Sequence, residues 1–225
     1  MKKYTTIAYV DGYNLYHGII DRKNVVPDGC DKFSKERPWG DLLWLNLEKF
    51  INSYNLPYTK LEKIKFFEAP SFKPDSLKRQ QIYKNALLSL KTIQADSFYG
   101  GEFKPHNVVC LFCEGAYIHH TEKRTDVSLA VELVSDFYTG VCESAVVVSG
   151  DADQCPAVEK ILLANPDFKI YIIFPPHRRS KELALLVGSY KTRRVKYDRL
   201  LRNQFNDSLL VDGFEIKKPI EFLDT

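Results

Sequence analysis

The stretch Tyr4-Thr5-Thr6-Ile7-Ala8-Tyr9-Val10, followed at once by Asp11-Gly12, decides the fold. Its β-branched and aromatic residues predict a buried strand, and the abrupt end at an acid and a glycine predicts a turn that carries function. A short helix is expected from Tyr13. The same texture returns at Ser144 to Ser149 (SAVVVS) and at Phe168 to Phe174 (FKIYIIF), the latter closed by Pro175-Pro176. Between those strands the periodicity is helical. Val127, Ala130, Val131, Val134 and Tyr138 recur behind a cap at Thr125 or Asp126, Gly140 stops them, and a further helix is expected over 154–164. Near-continuous Val/Ile runs separated by helices are the pattern of parallel strands covered on both faces. The expected class is α/β: a three-layer α/β/α fold around a mainly parallel sheet of four to five strands.

Residues 21–40 hold two prolines, two glycines and many charges without period, and read as an exposed insertion. Leu42 to Tyr54 reads as helix, Lys63 to Glu68 as a second strand closed by Pro70, and Pro74 to Gln94 as a long helix. From Ser97 to Thr121 short extended pieces around Gly100-Gly101, Pro105 and Gly115 predict a hairpin-like excursion.

The chain has 225 residues, 44% hydrophobic and 27% charged, enough to bury a core and far from a disordered composition. No apolar run approaches the roughly 18 residues of a membrane span, and the stretch after Met1-Lys2-Lys3 stops at Asp11, too early for a signal peptide. A soluble, cytoplasmic protein is expected, with a homo-oligomer compatible with the sequence. Five cysteines without an export signal do not make a secreted disulfide framework. The sequence has no G-x-S-x-G elbow and no GxxxxGK[ST] loop, which sets aside serine hydrolases and P-loop ATPases. Tyr13 stands where a dehalogenase-type phosphatase would need its second aspartate.

Four aspartates sit at element ends: Asp11 after the first strand, Asp126 at the start of a helix, and Asp151 and Asp153 after the Ser144 to Ser149 strand. In an open parallel sheet the ligand crevice lies outside the carboxyl ends of the strands, so these acids are expected to converge. Crowded carboxylates repel one another unless a divalent cation neutralises them, and hard oxygen ligands suit Mg²⁺ or Mn²⁺. Each aspartate taken singly has a plainer reading as a cap or turn residue.

Three motifs in order, Tyr9-Val10-Asp11-Gly12-Tyr13-Asn14-Leu15, Glu122-Lys123-Arg124-Thr125-Asp126-Val127 and Val148-Ser149-Gly150-Asp151-Ala152-Asp153 with Pro156, resemble the NYN domain of the PIN-like nuclease superfamily. Pro175-Pro176-His177-Arg178-Arg179-Ser180-Lys181-Glu182-Leu183 resembles its bacterial members. The likeness implies one nuclease domain over 1–205, with insertions at about 21–40 and 97–121, and a C-terminal extension over 206–225. It further implies that Asp11, Asp126, Asp151 and Asp153 hold one or two Mg²⁺ or Mn²⁺ ions, with Asn14 placed to touch substrate or a metal-bound water; Tyr13, able to stack on an unpaired base, and Lys123 are further candidates for substrate contact. Gln154 and Glu132 depart from the family pattern. Glu132, six residues from Asp126, is a poor angular match on a helix and stays outside the expected site.

The expected reaction is hydrolysis of RNA phosphodiester bonds by metal-activated water, which needs no protein nucleophile. Two other readings stay open: a catalytically weak RNA-binding or regulatory module, and a DNA- or nucleotide-directed phosphoesterase. From His177 to Arg202 nine basic residues face two acidic ones, in a chain whose net charge is only +3. Such a cluster suits phosphate contacts, for which Arg178, Arg179, Arg193 and Arg194 are the candidates, or it is a solvated helix face. Cys110 and Cys113, near His106, His119 and His120, offer a weak zinc site. Ordinary core cysteines or a reduced pair are favoured.

Overall fold

The computed structural model describes residues 3–20, 42–109 and 115–219. The insertion expected at 21–40 lies outside the described residues, as do Cys110 and Cys113 of the weak zinc site.

The centre is a six-stranded, wholly parallel sheet. Its strands are β1 (Tyr4–Asp11), β2 (Thr59–Glu68), β3 (Phe98–Gly100), β6 (Ser144–Val148), β7 (Lys169–Phe174) and β8 (Thr192–Arg194). The spatial order is β3-β2-β1-β6-β7-β8, so the chain builds one half of the sheet outward from β1, then returns to β1's other side for the second half. This is the doubly wound order, and its switch point falls between β1 and β6. The sheet is wider than the expected four to five strands because β3 and β8 run only three residues each, too short to show a periodicity.

Two apolar clusters cover the two faces, as strand alternation requires. On one, Val10, Ile64, Phe66, Val148 and Ile173 meet α1 (Gly12–Ile20), α2 (Leu47–Asn52) and α3 (Pro74–Leu87). On the other, Tyr9, Phe67, Val147 and Ile172 meet α4 (Thr125–Tyr138), α5 (Cys155–Ala164) and α6 (Lys181–Val187). The helix expected over 74–94 ends at Leu87, and that expected over 42–54 begins at Leu47 behind the Asn46 cap.

The excursion is a regular antiparallel hairpin of β4 (Glu102–Val109) and β5 (Ala116–Lys123), pairing Glu102 with Lys123. Following α7 (Tyr197–Arg202), a second hairpin of β9 (Ser208–Val211) and β10 (Phe214–Lys217) packs Leu209 and Ile216 against the first cluster. The C-terminal extension is thus joined to the core. Among the described residues no helix is long and apolar enough to cross a membrane.

One polar network interrupts the second cluster. Lys65 Nζ lies 2.6 Å from Asp136 and 2.7 Å from Glu132, and Tyr9 donates its hydroxyl to Asp136 at 2.7 Å. Burial opposes the Lys65 charge, but its carboxylate partners outweigh burial and raise its pKa. Lys65→Ala leaves buried Asp136 uncompensated and should cost roughly 3 kcal/mol in urea unfolding. Glu132→Ala removes a more exposed acid and leaves Lys65 held by Asp136, so it should cost under about 1 kcal/mol. Equal costs would refute this division.

Candidate active site

The loops leaving β1 and β6 are joined by two hydrogen bonds. Ser149 donates its hydroxyl to Asp11 Oδ2 at 2.9 Å, and Asn14 Oδ1 accepts the Gly150 N–H at 3.0 Å. The Asn14 N–H donates to Asp11 Oδ1 at 2.9 Å, and Ser149 Oγ accepts the Asp151 N–H at 3.1 Å. Asp11 is only 3% exposed. Asn14, expected toward substrate, therefore uses its side-chain carbonyl to hold the two loops in register.

Glycines let both loops pack closely on their other neighbours. A Cβ on Gly12 would stand 2.8 Å from the Phe66 ring and 2.9 Å from the Phe67 carbonyl, which is how α1 starts flush against the end of β2. A Cβ on Gly150 would lie 1.3 Å from the Arg178 carbonyl oxygen, so the backbone opening the basic segment is packed directly on the acidic loop.

The third contributor is the start of α4. The cap expected at Thr125 or Asp126 is one residue earlier: Arg124 occupies it with φ of 82°, and Thr125 and Asp126 lie inside the helix. The Thr125 hydroxyl instead donates to Glu122. Gln154, fully buried, donates from Nε2 to the Asp126 carbonyl at 3.3 Å and so ties this helix start to the β6 loop. Its Oε1 is buried without a hydrogen-bond partner.

The electrostatics record one acidic neighbourhood. Burial, then the charges of Asp126 and Glu122, push the Asp11 carboxyl up to about 7 against the pull of its Asn14 and Ser149 hydrogen bonds. Burial and then Asp151 and Asp153 raise Asp126. Glu122 is raised by burial, and Asp126 adds to it. Glu68, ending β2, is pushed up to about 7 by burial, with Glu122 adding. Sequence reasoning missed Glu68 and Glu122 as members, although Glu122 sits inside a quoted motif and Glu68 closes a strand at the same edge. The four expected aspartates do lie in one neighbourhood. Among the described residues, however, no group of three or more His, Cys, Asp or Glu side chains is arranged to hold a metal ion.

The basic segment divides. Arg178 lies near enough to Tyr13 to oppose the rise that burial and Glu122 impose on its phenol. Arg179 and Arg194 are exposed, as is Lys123 at the end of β5. Arg193 donates from Nη1 to the carbonyls of Tyr190 (2.9 Å) and Thr192 (2.8 Å). Arg199 donates to Ser53 and stacks 4.1 Å over the Tyr54 ring, which makes it part of the framework.

No family model matches the chain. It is 24% identical to the 6-hydroxy-3-succinoylpyridine 3-monooxygenase HspA of Pseudomonas putida, across 91% of this chain and 68% of that protein. It is similar in fold to the crystal structure of a protein of unknown function from Vibrio parahaemolyticus. That likeness has a TM-score of 0.50 at 15% identity and covers 87% of this chain and 95% of the other.

A carboxyl whose folded pKa lies above its unfolded value keeps an extra proton in the native state, so stability falls as pH rises between the two. For Asp11 the window runs from about 4 to about 7. Asp11→Asn should therefore stabilise the protein at pH 8 by on the order of 1–3 kcal/mol and far less at pH 4. Thermal melts of both proteins across that range check it. A gain independent of pH would show that burial of this charge is not the cause.

Proposed function

We propose that this chain is a metal-dependent ribonuclease that hydrolyses RNA phosphodiester bonds at the crevice between β1 and β6. The observation that supports it is that Asp11, Asp126, Asp151 and Asp153, from three separate elements, share one electrostatic neighbourhood at the switch point of a parallel sheet, although their side chains are not arranged as a metal cluster. The donor set is all carboxylate oxygen, mutually repelling, beside an orphaned buried amide oxygen on Gln154. That chemistry fits Mg²⁺ or Mn²⁺, since such ions are commonly held by one or two carboxylates, with substrate phosphate and water completing the shell. Asp11, Asp126, Asp151 and Asp153 would hold the ion, and the chemistry it supplies is activation of water and neutralisation of phosphoryl charge.

The chain's own groups do the positioning. Ser149 and Asn14 fix the Asp11 carboxyl between the two loops. Gln154 fixes the start of the helix that carries Asp126. Arg178, whose backbone packs against Gly150, is a candidate cation for a substrate phosphate, with Arg179 next to it in the chain. Arg193 and Arg194 carry less of the grip, because Arg193 is engaged with its own backbone.

A second reading, oxygenation of a small nitrogen heteroaromatic ring, is favoured by an aromatic-lined cavity beside Gly12, together with the named activity of the Pseudomonas relative. It requires O₂ and a reduced cofactor as electron donor, and is tested by NADH-dependent O₂ uptake in the presence of a hydroxypyridine.

Labelled RNA and DNA pools incubated with and without Mn²⁺ test the main reading. Cleavage of RNA should vanish in EDTA and return with Mn²⁺ or Mg²⁺. Asp151→Asn should lower turnover by on the order of 10² or more while RNA binding survives. Arg178→Gln with Arg179→Gln should flatten the log-log salt slope of RNA binding by roughly 0.7 for each phosphate that is no longer neutralised. Binding without cleavage would mark an RNA-binding module, cleavage of DNA alone a DNA phosphoesterase, and full activity in chelator would overturn the metal mechanism.

A further inference from the structure

Beside the acidic neighbourhood is a cavity of about 340 Å³ whose lining holds none of the four aspartates. Its volume falls at the lower end of the range of small-molecule sites, roughly 300–1,000 Å³. Gly12 and Glu68 line it, so its wall includes the residue after Asp11 and the carboxyl end of β2.

Its rim is aromatic, and the rings come from separate parts of the fold. Phe72, from the loop after β2, stacks on His120 of β5 with centroids 3.7 Å apart and planes 9° apart. Phe103 of β4 stands 5.5 Å from Phe72 and 6.3 Å from Tyr13 of α1. Tyr13 and Phe72 are nonetheless 43% and 48% exposed, offering ring surface to the opening. Large flat side chains left open around a concavity suit a flat partner, which gains stacking contact on entering.

The polar groups say which flat partner. Gln80 is fixed at three points: its Oε1 accepts the Ser71 N–H at 2.7 Å, and its Nε2 donates to the Ala69 carbonyl at 3.1 Å and to Glu68 Oε2 at 3.4 Å. Glu68 is thus oriented by a rigid neighbour, and a carboxylate has acceptor sites well beyond that one long bond. Lys73 and Arg79 line the same cavity; Lys73 Nζ lies 6.0 Å from the Phe72 centroid, and Arg79 donates to Ser76 Oγ at 3.0 Å. A carboxyl acceptor and two cations in the cavity lining call for a ring with N–H donors on one edge and an anionic substituent on the other.

We propose that this cavity binds one planar nitrogen heteroaromatic ring, its N–H edge toward Glu68 and its anionic substituent toward Lys73 and Arg79. An unpaired nucleobase within a nucleotide has that chemistry, and so does a free heteroaromatic acid. As a nucleobase pocket it deepens the nuclease reading and rests on it, since Gly12 in its wall directly follows Asp11. As a ring site it stands without that reading.

Calorimetric titration of the whole chain in EDTA, where no cleavage is expected, keeps the two apart. The probes are the four nucleoside 5′-monophosphates and 6-hydroxynicotinate, a ring with an N–H edge and a carboxylate but no sugar or phosphate. Saturable binding is expected, with Phe72→Ala and Glu68→Gln each weakening it roughly 10-fold. Phe72 is exposed enough for its loss to spare the fold, which unchanged melting temperatures confirm. Leu163→Ala, on a 78% exposed position of α5, is the control and should leave affinity unchanged. Preference for a monophosphate assigns the pocket to nucleobases, and preference for 6-hydroxynicotinate assigns it to free rings. No binding by any probe, or affinities that Phe72→Ala and Glu68→Gln leave untouched in folded protein, would overturn the proposal, whatever the RNA cleavage assay gives.

Discussion

The candidate site depends on one buried carboxyl. Asp11 ends the central strand of the sheet at the position where the chain has yet to build its second half, and it is closed off from water. An acid there is destabilising, and the hydrogen bonds from Ser149 and the Asn14 N–H restore only part of what hydration would give. The Ser149 bond also ties the end of β1 to the loop after β6, just beyond the β1–β6 ladder that joins the two halves of the sheet. The group that strains the structure is the one that fixes the two loops in register, so the site and the topology are a single problem.

The two glycines flanking this junction follow from the same constraint. Each of the two joined loops is itself packed on a further neighbour, Gly12 on the end of β2 and Gly150 on the Arg178 backbone, with no room for a Cβ at either. The packing of Gly150 on the Arg178 carbonyl has a further effect. It places the first arginine of the basic run at the acidic crevice, while later members of the run serve other ends. Lys191 is buried, Arg193 caps carbonyls of its own turn, and Arg199 braces α2 through Ser53 and Tyr54. Linear charge density is therefore a poor guide to which cations face a substrate.

What the sequence revealed follows from the length scale of each signal. Buried strands of five residues or more, such as Ser144–Val148 and Lys169–Phe174, announce themselves by unbroken Val/Ile runs, and with them came the layer architecture and the edge at which the aspartates gather. The three-residue strands β3 and β8 have no period to read, and the Arg124 cap depends on a positive φ that arginine does not advertise. Glu68 and Glu122 were hidden for a different reason. Glu68 ends β2 and Glu122 is the last residue but one of β5, and only pairing β2 beside β1, and returning β5 to the head of α4, brings them to the site.

The acids of α4 show how function separates from framework. Asp126, Glu132 and Asp136 lie on one helix, yet Glu132 and Asp136 both reach Lys65, a cation from β2 that is itself buried. Their charge is neutralised on the spot, and the result is a clamp between helix and sheet. Asp126 faces Asp151 and Asp153 instead, and their charges oppose its ionisation. Here the chain supplies a buried lysine for two of the three and leaves the third among carboxylates. The unneutralised acid marks the place where a cation or a phosphate-bound cation has something to gain, and the neutralised pair marks where the fold has already turned that attraction on itself.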